Sequence, residues 1–161
     1  MKMVRQAHHE KELVLILGGV RSGKSSFAQR LAKQSGGNVL FLATAQAGDA
    51  EMAERIARHK ASRPPAWRTI EEPLELASAL DREAVSVSVV IVDCLTLWLN
   101  NLLGQEDGAS EAHVLGQVGR LLEVYDRGAA SYILVSGEVG LGLVPPYPLG
   151  RSFRDMLGRV N

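Results

Sequence analysis

"LVLILGGVRSGKSS", residues Leu13 to Ser26, is the stretch whose reading decides the fold. It opens with a short apolar run that stops at two glycines, the pattern of a strand buried in a parallel sheet. Gly18, Gly19, Val20, Arg21, Ser22, Gly23, Lys24 and Ser25 then spell G-x-x-x-x-G-K-[ST]. Ser25–Gln34 reads as a helix closed by Gly36-Gly37. In such a loop, glycines let backbone N–H groups wrap phosphates, and the following helix adds the positive end of its dipole. Lys24 supplies a point charge to the outer phosphates and Ser25 a hydroxyl to Mg²⁺. The strand before the motif and the helix after it make a chance glycine turn remote.

Downstream, strand-like and helix-like runs alternate. "NVLFL" (Asn38–Leu42) is a second strand, and Asp49 caps a helix that runs to about Ser62 and stops at Pro64-Pro65. Ala66–Ile70 reads as a short strand, after which Pro73 opens a helix at its tolerated first turn. "VSVSVVIV" (Val85–Val92) is the longest β-branched run and is expected near the centre of the sheet. Cys94–Leu103 reads as helical and Gln105–Ala109 as a loop. Ser110 caps a helix to Arg127, Ser131–Val135 is a strand, and a last helix starts near Arg151. The expected fold class is α/β: a mainly parallel sheet flanked by helices.

Composition is consistent with this. With 161 residues the chain is one domain's length, and 46% hydrophobic residues suit a packed core. Basic and acidic residues balance at 18 each, which lowers the expectation of a nucleic-acid partner. A single cysteine, Cys94, excludes an internal disulfide and suits a reducing compartment. No apolar run spans a bilayer, and the polar leader over residues 1–12 has no signal-peptide core, so a cytoplasmic location is expected.

Two further positions carry chemistry. Asp93 ends "VVIVD" and can hold Mg²⁺ beside the glycine loop or cap the helix that follows; the metal-side role is favoured. His59 shares a helical face with Met52 and Ile56 at i, i+4, i+7. Lys60, Arg63 and Arg68 form a basic cluster around it, fit for a triphosphate or for plain solvation. Glu71 and Glu72 precede the Pro73 helix and stabilise its start. His8, His9 and His113 read as ordinary polar positions. Physics alone leaves His59 a minority candidate for a nucleophile.

"LILGGVRSGKSSFAQRLA", "LATA", "EMAERIARHKASRPPAWRTIEEP", "IVDCLTLWLNNLL", "EVGLGLVP" and "LGRSFRDMLGRVN" occur in that order. Together they resemble the bifunctional adenosylcobinamide kinase / adenosylcobinamide-phosphate guanylyltransferase family, over Leu13 to Asn161. The resemblance implies a RecA-like P-loop domain that phosphorylates adenosylcobinamide with ATP or GTP. It then implies GMP transfer from GTP onto adenosylcobinamide phosphate through a GMP-histidine intermediate on His59. The family's nucleotide-binding positions fall on Gly18 to Ser25, on Thr44, Ala45 and Gln46, on Lys60, Ala61, Ser62 and Arg63, on Glu71 and on Asp93. A homotrimer with sites near subunit contacts is implied too.

Two departures from the family pattern stand out. Gly137 occupies a position where members usually carry Asn, so loop geometry or a ligand contact is expected to change. The chain ends at "GRVN" whereas members run on through another helix and strand, so a single domain over 13–161 with an altered sheet edge is expected. Two rivals share the P-loop: a kinase relying only on Lys24, Ser25 and Asp93, and a nucleotide switch with no turnover. Neither requires "RIARHKASRP".

Overall fold

The computed structural model describes residues 11–106 and 108–161; the leader histidines His8 and His9 lie outside them. Five strands form one sheet: β1 (Leu13–Gly18), β2 (Val39–Ala43), β3 (Arg68–Glu71), β4 (Val89–Asp93) and β5 (Ser131–Gly137). Every pairing is parallel and the order is β1-β5-β4-β2-β3. The β-branched strand β4 is therefore central, as its composition requires. The sheet belongs to the expected α/β class.

Among the described residues six helices accompany the strands. α1 (Lys24–Ser35) follows β1, α2 (Ala50–Ala61) follows β2, and α3 (Leu76–Glu83) follows β3. α4 (Leu95–Leu103) and α5 (Glu111–Arg127) link β4 to β5, and α6 (Pro148–Val160) comes last. Alternation along each strand divides the core in two. On one face, Leu40, Leu42, Val90, Val92, Tyr132 and Leu134 pack with α3, α4, α5 and α6. On the other, Phe41, Ile91, Ile133 and Val135 pack against Ala28 and Ala32 of α1.

Capping follows sequence closely at two helices. The Asp49 carboxylate accepts from the Met52 N–H at 2.7 Å, and the Ser110 hydroxyl accepts from the His113 N–H at 3.2 Å. Four expectations need correction. Among the described residues β1 stands at the edge of the sheet rather than buried within it, and Leu13, Leu15 and Leu17 lie exposed on one of its faces. β4 starts at Val89 rather than Val85, because Ser86 takes a left-handed turn at φ 63°. Pro73 does not open α3: the Glu72 carboxylate instead accepts from Leu74 N–H and Glu75 N–H, forming a turn that delays the helix to Leu76. Finally, α6 begins at Pro148, three residues before Arg151, with proline in its favoured first turn.

Candidate active site

All five strands end at one rim, at Gly18, Ala43, Glu71, Asp93 and Gly137. In open parallel sheets ligands bind outside the carboxyl ends of the strands, and the sequence-chosen residues gather there. The glycine loop Gly18 to Ser25 leaves β1 and enters α1 through Gly23, whose φ of 85° demands glycine. Lys24 reaches back across the loop, its Nζ donating to the Gly19 carbonyl at 2.6 Å. Between β1 and β4 lies β5, so Lys24 and Asp93 face each other across one intervening strand.

Asp93 is the point on which the site converges. Burial pushes its carboxyl pKa up, while the Ser25 hydroxyl, His59, Arg63 and Lys24 all favour its charged form. One carboxylate is thus surrounded by two P-loop side chains and two side chains from the α2 region. Asp93 does not cap α4; that position falls to Cys94, with no side-chain hydrogen bond.

α2 brings His59 to this rim. Met52, Ile56 and His59 are half-buried while the positions between them are exposed, in keeping with their shared face. Ser62 caps the end of the helix, and its hydroxyl donates to the His59 carbonyl at 2.9 Å. Arg63 then turns inward. Its guanidinium lies 3.9 Å from the centre of the Phe41 ring, and its Nε is buried without a partner. Burial lowers the Arg63 pKa, opposed by Asp93 and Glu71. A half-buried cation with an unfilled donor, beside a phosphate loop, is suited to an anionic ligand.

The basic cluster read from sequence is split. Lys60 pairs with Glu71 at 3.2 Å, Arg58 with Glu54 at 3.9 Å, and Arg68 with Glu83 at 3.1 Å, away from the site. Only Arg63 turns toward the carboxylate at the centre. Ala61 and Gln46 are exposed and Ala45 is half-buried.

Thr44 plays a different part from the rest. It is fully buried, and its hydroxyl both donates to the Cys94 carbonyl and accepts from the Cys94 N–H at 2.8 Å. Its own N–H donates to the Asp93 carbonyl at 3.1 Å. The Thr44 side chain thus locks the end of β2 to the backbone that presents Asp93. Asn101 extends the lock from α4, donating to the Thr44 carbonyl at 2.8 Å and the Pro73 carbonyl at 3.1 Å. The sequence reading did not single out Asn101; two strand-end carbonyls sharing one amide have no local signature.

At Gly137 a side chain would have to displace Thr96. The Thr96 hydroxyl accepts from the Gly137 N–H at 2.5 Å, and a Cβ on Gly137 would stand 2.9 Å from that oxygen. Thr96 fills the space an asparagine side chain would need.

Comparisons with known proteins bear on the fold and the family. A RadB recombinase crystal structure shares the fold, with a TM-score of 0.52 at 16% identity over 90% of this chain and 70% of that one. The bifunctional adenosylcobalamin biosynthesis protein CobP of Pseudomonas aeruginosa is 52% identical, over 91% of this chain and 83% of that protein. CobU of Escherichia coli, of the same description, is 38% identical over 92% and 87% of the two chains. The family model for cobinamide kinase / cobinamide phosphate guanyltransferase matches residues 14–161. The chain therefore belongs to the cobinamide kinase / cobinamide phosphate guanyltransferase family of cobalamin-biosynthesis enzymes.

Proposed function

We propose that this family member phosphorylates adenosylcobinamide with ATP or GTP and then joins GMP to the product through His59, giving adenosylcobinamide-GDP and pyrophosphate. The observation that carries this reading is the convergence of Lys24, Ser25, His59 and Arg63 on Asp93. A kinase alone needs the first two with Asp93. It does not need an imidazole on the same carboxylate.

In the guanylyl step, a neutral His59 nitrogen attacks the α-phosphorus of GTP. The N–P bond forms as the bond to the α,β-bridging oxygen breaks, and pyrophosphate leaves. The phosphate of the corrinoid then attacks the same phosphorus and frees the imidazole. Splitting the transfer in this way gives each half a competent nucleophile and leaving group. Lys24 and Arg63 stabilise the charge that develops on the departing pyrophosphate. In the kinase step, Lys24 holds the transferred phosphate instead.

Ser25 and Asp93 fit Mg²⁺: both offer hard oxygens and they face one another at the P-loop. Among the described residues no group of three or more His, Cys, Asp or Glu could hold an ion alone. That is the usual situation for Mg²⁺, which takes most of its ligands from phosphates and water. When bound, the ion would neutralise phosphate charge. We infer a homotrimer as well, from the family resemblance. Light scattering that gives a monomer mass at working concentration would remove it.

The test of the reading uses GTP labelled at the α-phosphate. The protein is expected to take up label that is acid-labile and stable to alkali, and γ-label is expected to leave none. His59→Ala is expected to abolish uptake while cobinamide phosphorylation persists. Label on the His59→Ala protein with the same acid sensitivity would overturn the assignment.

A further inference from the structure

Three side chains of α4 bond backbone groups at the ends of other strands and just beyond them. The Thr96 hydroxyl accepts from the Gly137 N–H after β5, and the Trp98 indole N–H donates to the Leu74 carbonyl at 2.8 Å. The Asn101 amide donates to the Thr44 carbonyl at 2.8 Å and to the Pro73 carbonyl at 3.1 Å. Asparagine is a poor residue for a helix interior, and Asn100 beside it faces solvent. Asn101 is half-buried instead and meets two carbonyls, which only the amide nitrogen can serve. Both of its N–H bonds are therefore engaged, one on β2 and one on the turn after β3.

The partner of the shorter bond stands behind Asp93. Thr44 is fully buried, and each of its polar groups is taken up within the protein. Its N–H donates to the Asp93 carbonyl at 3.1 Å, and its hydroxyl accepts from the Cys94 N–H at 2.8 Å. Thr44 thus grips the peptide that follows Asp93 by both its carbonyl and its N–H, and the Thr44 carbonyl is left for Asn101. One end of that peptide is the Asp93 backbone, so the grip directs the carboxylate toward Ser25, His59, Arg63 and Lys24. None of these bonds involves the glycine loop, whose Lys24 is tied to Gly19.

We propose that Asn101 is a positioning residue for both steps of the reaction: its amide holds Thr44, and Thr44 holds the backbone that presents Asp93. The inference rests on the two-step reading given above, in which one carboxylate serves both transfers. A group that must meet phosphate charge in a fixed direction loses rate when its support loosens, even where the substrate still binds.

Asn101→Leu keeps the volume and removes both donors. It is expected to lower the kcat of cobinamide phosphorylation and the rate of α-label uptake from GTP together, each about tenfold to a hundredfold, the range for losing a partner that orients a ligating group. The KM for nucleotide is expected to stay within about threefold, because the glycine loop is untouched. Asn100→Ala is the control and is expected to leave both rates at the parent value. Thr44→Val, which removes the hydroxyl at constant shape, is expected to match Asn101→Leu, whereas Thr44→Ser stays near the parent. The double variant Asn101→Leu/Thr44→Val is expected within about threefold of the slower single variant, since both break one chain of bonds; independent packing defects would multiply. If Asn101→Leu folds poorly, Asn101→Ala makes the same comparison without apolar bulk. Multiplied losses, or a raised KM with kcat unchanged, would overturn the proposal. If the parent protein neither phosphorylates the corrinoid nor takes label, the two-step reading has failed, and the bonds are judged by amide exchange. Faster exchange at the Thr44 and Cys94 amides of the Asn101 variant, with α1 unchanged, sustains the lock; unchanged exchange at those two amides sinks it.

Discussion

α1 and α2 are both twelve residues long and both bring functional side chains to the same rim, yet they are attached to the sheet in opposite ways. α1 buries Ala28, Gln29 and Ala32, with Ala28 and Ala32 packed closely under the strands. α2 buries nothing, and its strongest side-chain link to the sheet is the exposed pair between Lys60 and Glu71. Small residues let α1 approach so closely that its N-terminus is fixed where the phosphates sit. Local opening is cheapest where few apolar contacts are lost, so the histidine side of the site is the side able to move. A firmly packed phosphate loop and a loosely held histidine suit the two-step reaction proposed above.

The largest effect expected from this contrast is at Lys24. Lys24→Ala removes the cation proposed to serve both steps and is expected to lower both rates by about 10²- to 10³-fold, the range for losing one preorganised charge donor. Its side chain bonds only to the loop itself, so the melting temperature is expected to change little. Steady-state kinetics and a thermal melt check this. Unchanged kinetics with a cavity-like loss of stability would show Lys24 to be structural.

A pair of substitutions tests the contrast in stability. Ala28 is completely buried, so Ala28→Leu has no room and is expected to destabilise by about 1–3 kcal/mol. Ala53 lies exposed on α2, and Ala53→Leu is expected to stay within about 0.5 kcal/mol. Denaturant melts measure both. Equal costs would mean that α2 is packed as firmly as α1.

Much of α1 was legible beforehand, and less of α2's surroundings. The P-loop is local: the glycines, Lys24 and Ser25 sit in one run, and the strand and helix around them follow from hydrophobic pattern. What α2 faces is not local. Lys60, Arg63 and Arg68 look like one cluster in the chain. Only the fold brings Glu71 to Lys60 and Glu83 to Arg68, leaving Arg63 to turn in over Phe41. The same limit explains β1, whose apolar run fits a buried strand but cannot say which strand stands at the edge. It explains Thr96 too, which matters only because β5 ends beside it. Pro73 misled for a different reason: a proline fits both a first helical turn and the turn that Glu72 builds.

The carboxylate between the two helices gives a pH test. Burial raises the Asp93 pKa above 3.8, so between that value and the raised one the folded chain binds more protons than the unfolded chain. Stability is therefore expected to fall as pH rises through that window and to stay lower above it. Asp93→Asn removes the buried charge and is expected to be inactive yet more stable than the parent at neutral pH, with that slope gone. Mg²⁺ with nucleotide is expected to raise the melting temperature of the parent more than that of the variant. A variant less stable than the parent at neutral pH would mean that the neighbouring cations outweigh the desolvation.

The smallest effect is expected at the link between α2 and the sheet. Lys60 Nζ and Glu71 Oε1 are 3.2 Å apart, but both side chains are more than half exposed, at 61% and 57%. Water and salt screen such a pair, so Lys60→Ala is expected to cost no more than about 0.5 kcal/mol of global stability. The local consequence is expected to be larger than the global one. With only half-buried side chains at Met52, Ile56 and His59, α2 leans on its Asp49 cap and on this pair, so its amides are expected to exchange faster in the Lys60→Ala protein. Those of α1 are expected to keep their rate. Raising the salt concentration on the parent protein is expected to reproduce part of the change in α2 and none of it in α1. Uniform exchange across both helices, in either experiment, would mean that they open as one unit and that the difference in burial does not set their mobility.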